Sequence, residues 1–131
     1  NMSIAAEAVK KEGGELQMTI SYTISPVHTL DLFAKQARDM ADMGADSICI
    51  KDMAGLLSPV AASALVKAIK KKVNLPVQIH SHYTSGMAAM SYMAALEAGA
   101  DVVDCAILGF RLRNCCRSRS TTRCCMKNTR I

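Results

Sequence analysis

At 131 residues, half of them hydrophobic, the chain has the length and apolar content of one globular domain rather than of a disordered segment. Its formal charge of +5 misleads about partners: seven Lys or Arg and no acid follow residue 110, while residues 1–110 hold the other nine basic residues and all eleven acids. That balanced body does not indicate a nucleic-acid-binding surface; no uncharged apolar run approaches the roughly 20 residues of a membrane helix and no charged-then-apolar leader opens the sequence, so a soluble, cytoplasmic protein is expected.

Taken in chain order, residues 17 to 110 alternate between the two periods of a βα chain. The opening IAAEAVKKEGG reads as the end of a helix, cut off by the start of the chain. QMTISYTI, β-branched and aromatic, reads as a strand ending at Ser25-Pro26. Leu30, Phe33, Ala37, Met40 and Ala41 then recur at helical spacing, with Thr29 as cap and Gly44 as stop, giving a helix over about 29–43. DSICIKD is a short buried strand, and Ser58-Pro59 opens a helix running through Lys70, closed by Asn74-Leu75-Pro76. VQIH is the next strand. Thr84 or Ser85 caps a helix carrying Met87, Met90, Ala94 and Ala98, Gly99 stops it, and DVVDCAI is the last strand.

The strands begin near residues 18, 47, 77 and 102, and MGADSICI and AGADVVDC share one pattern of helix stop and strand start. Short helical crossovers make such strands parallel. Units of this length suit an open doubly wound sheet or a (β/α)8 barrel, of which four units are half. The expected fold is therefore α/β: a partial (β/α)8 barrel of about four parallel units in residues 1–110, followed by an irregular basic tail at 111–131.

The chemistry gathers at the strand ends. Residues two apart on a strand share a face, so His80 and His82 project together at the carboxyl end of VQIH, where α/β folds build their sites. An HxH pair alone is weak evidence and fits ordinary hydrogen-bonded histidines as well as it fits two ligands on one metal. IKDMAGLL adds Lys51 and Asp52 directly after an apolar strand, with Gly55 suited to a tight loop. A lysine emerging from a buried strand has to be paired, shifted in pKa or chemically modified. Asp52 is read as orienting Lys51 or its loop, with a capping role nearly as well supported. Asp104 is read as site lining and His28 as structural or supporting. Met40, Met43, Met87, Met90 and Met93 are expected to fill core space, and Cys49 and Cys105 to be small buried hydrophobes. Lys70 to Lys72 are expected to face solvent and their helix C-terminus.

The motifs KDMAGLL and HSHYTSG, with the sequence between them, resemble the carboxyltransferase domain of biotin-dependent enzymes: pyruvate carboxylase, the oxaloacetate decarboxylase alpha subunit and transcarboxylase. The resemblance covers roughly residues 17–107. Tyr83, where many pyruvate carboxylases have Asp, places it nearest the decarboxylase and separate-subunit branch.

The resemblance implies a metal-centred barrel in which His80 and His82 are imidazole ligands and Lys51, carbamylated, supplies an oxygen ligand and a catalytic role. It implies zinc, manganese or cobalt as the divalent metal, a biotin carried on a biotinyl carrier domain or subunit, a keto acid such as pyruvate or oxaloacetate, and a homo-oligomer when complete. The family's aspartate ligand and substrate-gripping arginine are expected on earlier strands, so this stretch is read as a fragment with little or no turnover alone. Two open sheet edges lead to the expectation that it aggregates or pairs with another copy.

Three other readings stand beside this one. A related metal-dependent lyase or acyl-condensing barrel shares the HxH pair, although KDMAGLL speaks against it. A non-catalytic βα interaction module would fold without metal, and a nucleic-acid binder would act through the tail.

The resemblance stops near Leu108 or Phe110, where the family's Thr-Ser-Gln-Pro segment is expected and AILGFRLRNCCRSRSTTRCC stands instead. The tail's Cys-Cys pairs, seven residues apart, lack the spacing of zinc modules, and no aromatic interleaves its arginines. An out-of-frame end is the favoured reading of 111–131, with a disordered basic arm as the alternative. Resequencing the source DNA through codons 105–131 is expected to return a different frame; recovery of these residues from expressed protein would overturn that.

Overall fold

The computed structural model describes residues 2–104; the expectations for Cys105, for the rest of the last strand and for the tail lie outside the described residues. The elements are α1 (Met2–Lys11), β1 (Gln17–Ser21), α2 (Leu30–Asp42), β2 (Ser47–Asp52), α3 (Pro59–Lys72), β3 (Val77–Ser81), α4 (Ala88–Glu97) and β4 (Val102–Val103). The strands form one parallel sheet in the order β1-β2-β3-β4. Among the described residues no helix is long and apolar enough to cross a membrane.

Register gives the sheet two unlike faces. Met18, Ile48 and Val77 stand in one row across the strands, and Ile20, Ile50, Ile79 and Val103 in the next. All seven are buried in a single core with Phe33, Ala37 and Met40 of α2, Leu65, Val66 and Ile69 of α3, and Ala95 of α4. The alternate positions form the opposite rows: Thr19, Cys49, Gln78 and Val102, then Ser21, Lys51 and His80. The helices thus cover one face, and α3 packs against both α2 and α4. A doubly wound sheet would carry helices on both faces; this is the arrangement of a barrel arc.

The shared Gly-Ala-Asp motif performs one task twice. Gly44 and Gly99, at φ +89° and +104°, end α2 and α4 in the left-handed region. Ala45 and Ala100 then donate back to Met40 and Ala95, and the carboxylates of Asp46 and Asp101 accept the backbone N–H of Leu16 and Val77, at the starts of the neighbouring strands. Each also pairs with a lysine of an earlier helix, Lys10 at 2.5 Å and Lys70 at 2.6 Å. Lys70 therefore has a structural partner where the sequence suggested solvent.

Thr29 and Ser58 cap their helices as expected, accepting from Leu32 N and Ala61 N. Two other expectations are corrected. β1 stops at Ser21 rather than continuing through Ile24, so the pairing with β2 ends at the Ser21 and Lys51 partners. Neither Thr84 nor Ser85 caps α4, which begins after Met87 with no side-chain cap. These two residues instead belong to the turn from Tyr83 to Gly86 that packs on the β2–α3 loop.

The face that α4 buries also differs from expectation. Met90 and Met93 are 69% and 60% exposed, while the small residues Ala88, Ser91 and Ala95 face the core. A helix apolar on nearly every side offers no stripe from which to choose a core face. Small side chains win because they let α4 approach closely; the Ser91 hydroxyl donates to the buried Leu57 carbonyl at 2.6 Å. Met40 does fill the core.

Gly55 ties the loop after β2 to the turn after β3. Its φ is +72°, and a Cβ there would lie 2.9 Å from Ser85 N and closer still to Thr84 Oγ1. Gly55→Ala is expected to lower unfolding free energy by about 1–3 kcal/mol in urea titrations. Gly99→Ala, strained in φ but with nothing within 4 Å, is expected to lose less.

Candidate functional site

Lys51 and His80 are direct partners across the β2–β3 ladder. In a parallel pair residues in register share a face, so the amine and the imidazole leave the sheet together, on the side away from the helices. His82 follows two residues later with the same sidedness. Its ring centroid lies 5.1 Å from that of His80, the planes at 79°. The three side chains singled out from sequence are therefore brought together at the carboxyl end of two adjacent strands.

A fourth residue belongs with them. The carboxylate of Asp104 lies 2.8 Å from His80 Nδ1, and its backbone N–H donates to Ile79 O, which carries the β3–β4 pairing one residue beyond the strand. His80 is one-fifth exposed and Asp104 about one-third. The other ring nitrogen, His80 Nε2, is buried and has no hydrogen-bond partner among the described residues. A buried polar atom left in this state is costly, which makes it the position in the cluster that a ligand would satisfy. Sequence reading found Asp104 only as lining. The available signal was its place: Asp104 directly follows the apolar VV of the last strand, one strand beyond His80.

Asp52 faces the other way. It is 2% exposed, and its carboxylate accepts the backbone N–H groups of Leu56 and Leu57 at 2.9 and 3.1 Å, with Ser81 Oγ at 3.4 Å. Its carbonyl also receives His82 N–H. Of the two roles considered, Asp52 therefore orients the loop, and it fastens that loop to the strand carrying both histidines. The Tyr92 hydroxyl supports the same strand by accepting Ser81 N–H at 2.9 Å. Tyr83, next to His82, adopts φ +60°, a strained conformation for a non-glycine residue. His28 sits apart, with Nδ1 2.7 Å from Ser25 Oγ and its ring against Phe33. It is structural.

The electrostatics favour a neutral imidazole at His82. Loss of hydration, then the neighbouring His80 and the positive charge of Lys51, hold its pKa below the ordinary imidazole value, against a smaller opposing effect of Asp52. A neutral ring presents a lone pair to a cation. Among the described residues no three His, Cys, Asp or Glu side chains form a metal-holding group. A cation here would depend on the two imidazoles and on Lys51, and an ammonium has no lone pair to offer.

The sequence profile of the HMGL-like family matches residues 2–115. The chain is 54% identical over 112 residues to a pyruvate carboxylase subunit of Methanocaldococcus jannaschii, covering 86% of this chain and 20% of that protein. It is 52% identical over 114 residues to the methylmalonyl-CoA carboxyltransferase 5S subunit of Propionibacterium freudenreichii subsp. shermanii, covering 86% and 23%. Its fold superposes on the carboxyl transferase domain of Rhizobium etli pyruvate carboxylase, solved with pyruvate and biocytin, with TM-score 0.77 and 39% identity over 80% of this chain and 19% of that one. The chain thus spans about a fifth of the length of these relatives, and the four units match part of a (β/α)8 carboxyltransferase barrel.

Cys49 lies on the site face but is 6% exposed, and burial, reinforced by the negative charge of Asp104, pushes its thiol up to about 11. It is not a thiolate nucleophile at neutral pH. Iodoacetamide at neutral pH is expected to leave Cys49 unmodified in the folded chain and to alkylate it in denaturant, as read by peptide mass mapping.

Proposed function

The chain belongs to the HMGL-like family, and from that premise we propose that it is a segment of a biotin-dependent carboxyltransferase, moving carboxylate between carboxybiotin and a keto acid such as pyruvate or oxaloacetate. The observation that carries this reading is the orphaned Nε2 of His80, buried beside the His82 ring and on the row of Lys51. That donor set fits a divalent cation of the zinc, manganese or cobalt type, with His80 and His82 as nitrogen ligands. When bound, the cation supplies positive charge that polarises the keto-acid carbonyl and stabilises the negative charge developing on it.

Lys51 joins the set by a covalent change. Its neutral amine adds to carbon dioxide, forming an N–C bond and releasing a proton, and the resulting carbamate is an anionic oxygen donor. This inverts the charge on the row that otherwise sets Lys51 beside two imidazoles. Asp52 holds the loop that follows Lys51, and Ser81 fixes the spacing between the histidines. The biotin is proposed to arrive on a carrier domain or subunit, since two of the relatives named above are themselves single subunits of a pyruvate carboxylase and of a carboxyltransferase. Cytoplasmic location and homo-oligomeric assembly belong to the same proposal; a cysteine left free and buried suits a reducing compartment.

Metal analysis of the chain reconstituted with zinc, manganese or cobalt and bicarbonate tests the site. His80→Ala and His82→Ala are each expected to lose most of the bound ion, and Lys51→Ala to lose the dependence on bicarbonate; equal occupancy in all of them counts against the assignment. In a barrel completed with the remaining strands of the carboxyl transferase relative, biotin-dependent oxaloacetate decarboxylation is expected. Acyl-CoA cleavage in its place would favour the lyase reading.

A further inference from the structure

We propose that Asp104 is a positioning residue for His80: it holds the ring in the tautomer that carries hydrogen on Nδ1 and so keeps Nε2 as a bare lone pair inside the site. An ionised carboxylate can only accept, so the 2.8 Å contact requires hydrogen on Nδ1. The opposite tautomer would set two lone pairs against each other at that distance. It would also bury an Nε2–H where no described residue offers an acceptor.

The backbone makes the arrangement rigid. Asp104 N–H donates to Ile79 O at 3.0 Å, so the backbone that carries the carboxylate is fixed to the residue preceding His80 in β3. Val103 beside it is buried in the core and paired with Ile79. Asp104 needs no contact with a substrate or cation to act; it acts through the imidazole it aims. The inference rests on the reading of His80 as a ligand, but the tautomer is a property of the chain by itself.

Nitrogen-15 NMR of the histidine-labelled 131-residue chain reads the tautomer directly, with His80→Gln assigning the signal. The expected spectrum has a pyrrole-type Nδ1 and a pyridine-type Nε2 on His80. Asp104→Leu is expected to move His80 towards the Nε2–H form and to weaken cobalt(II) binding, followed by visible absorption, by about 10- to 100-fold. Asp104→Asn, whose amide oxygen still accepts from Nδ1–H, is expected to retain the wild-type tautomer and most of the affinity.

Hydrogen on Nε2 in the wild type, or averaged tautomers, overturns the inference. So does an unchanged His80 signal in folded Asp104→Leu. If that variant fails to fold, the wild-type spectrum and the Asn variant still decide. A correct tautomer in a wild-type chain that takes up no cobalt supports the positioning role and instead defeats the metal reading.

Discussion

The in-register parallel pairing of β2 with β3 is the constraint from which the rest of this structure follows. It sets Lys51 opposite His80, Asp52 opposite Ser81 and Ile50 opposite Ile79, so each row of the ladder has one chemical character. A slip of one residue would turn Lys51 into the helix-packed core and Asp52 away from the loop amides it satisfies. Core burial and site assembly therefore enforce the same register. The apolar rows cannot move without uncovering Ile48, Ile50, Val77 and Ile79, all fully buried.

The two faces divide the work between stability and chemistry. On the helix side, three helices close over one continuous core, and the Gly-Ala-Asp clamps fasten the starts of the strands. The other side is half-buried and polar, from the Gln17, Ser47 and Gln78 hydrogen bonds at the amino ends to Lys51, His80, His82 and Asp104 at the carboxyl ends. Gln17, Ser47, Gln78, His80 and Asp104 find partners along and across the rows. Among the described residues the Nε2 of His80 is the buried side-chain atom left without a partner, and a site is where such an exception is expected.

Much of this is legible without coordinates, for identifiable reasons. Strand and helix periods, two side-chain caps and the glycine stops are local signals, and they locate all four strands and α2, α3 and α4. Reading fails where local signals compete. In α4 apolar residues surround the helix, so periodicity chooses the methionines where packing chooses Ala88, Ser91 and Ala95. At Thr84 and Ser85 a cap-like composition belongs to a turn packed on Gly55. The stretch from Tyr22 to Ile24 has β-forming residues but lies beyond the end of β1, and propensity alone does not make a strand.

By itself the sequence determined the alternation of elements, the shared face of His80 and His82, and the residue types at the strand ends, because these depend on spacing along one chain. Only the tertiary structure decided that Asp104 meets His80, that Asp52 serves the loop rather than the lysine, and that one imidazole nitrogen is left buried with no partner among the described residues. Those facts join residues on different strands, or oppose the two sides of a sheet. They are set by register and packing between segments, which no local run of residues encodes.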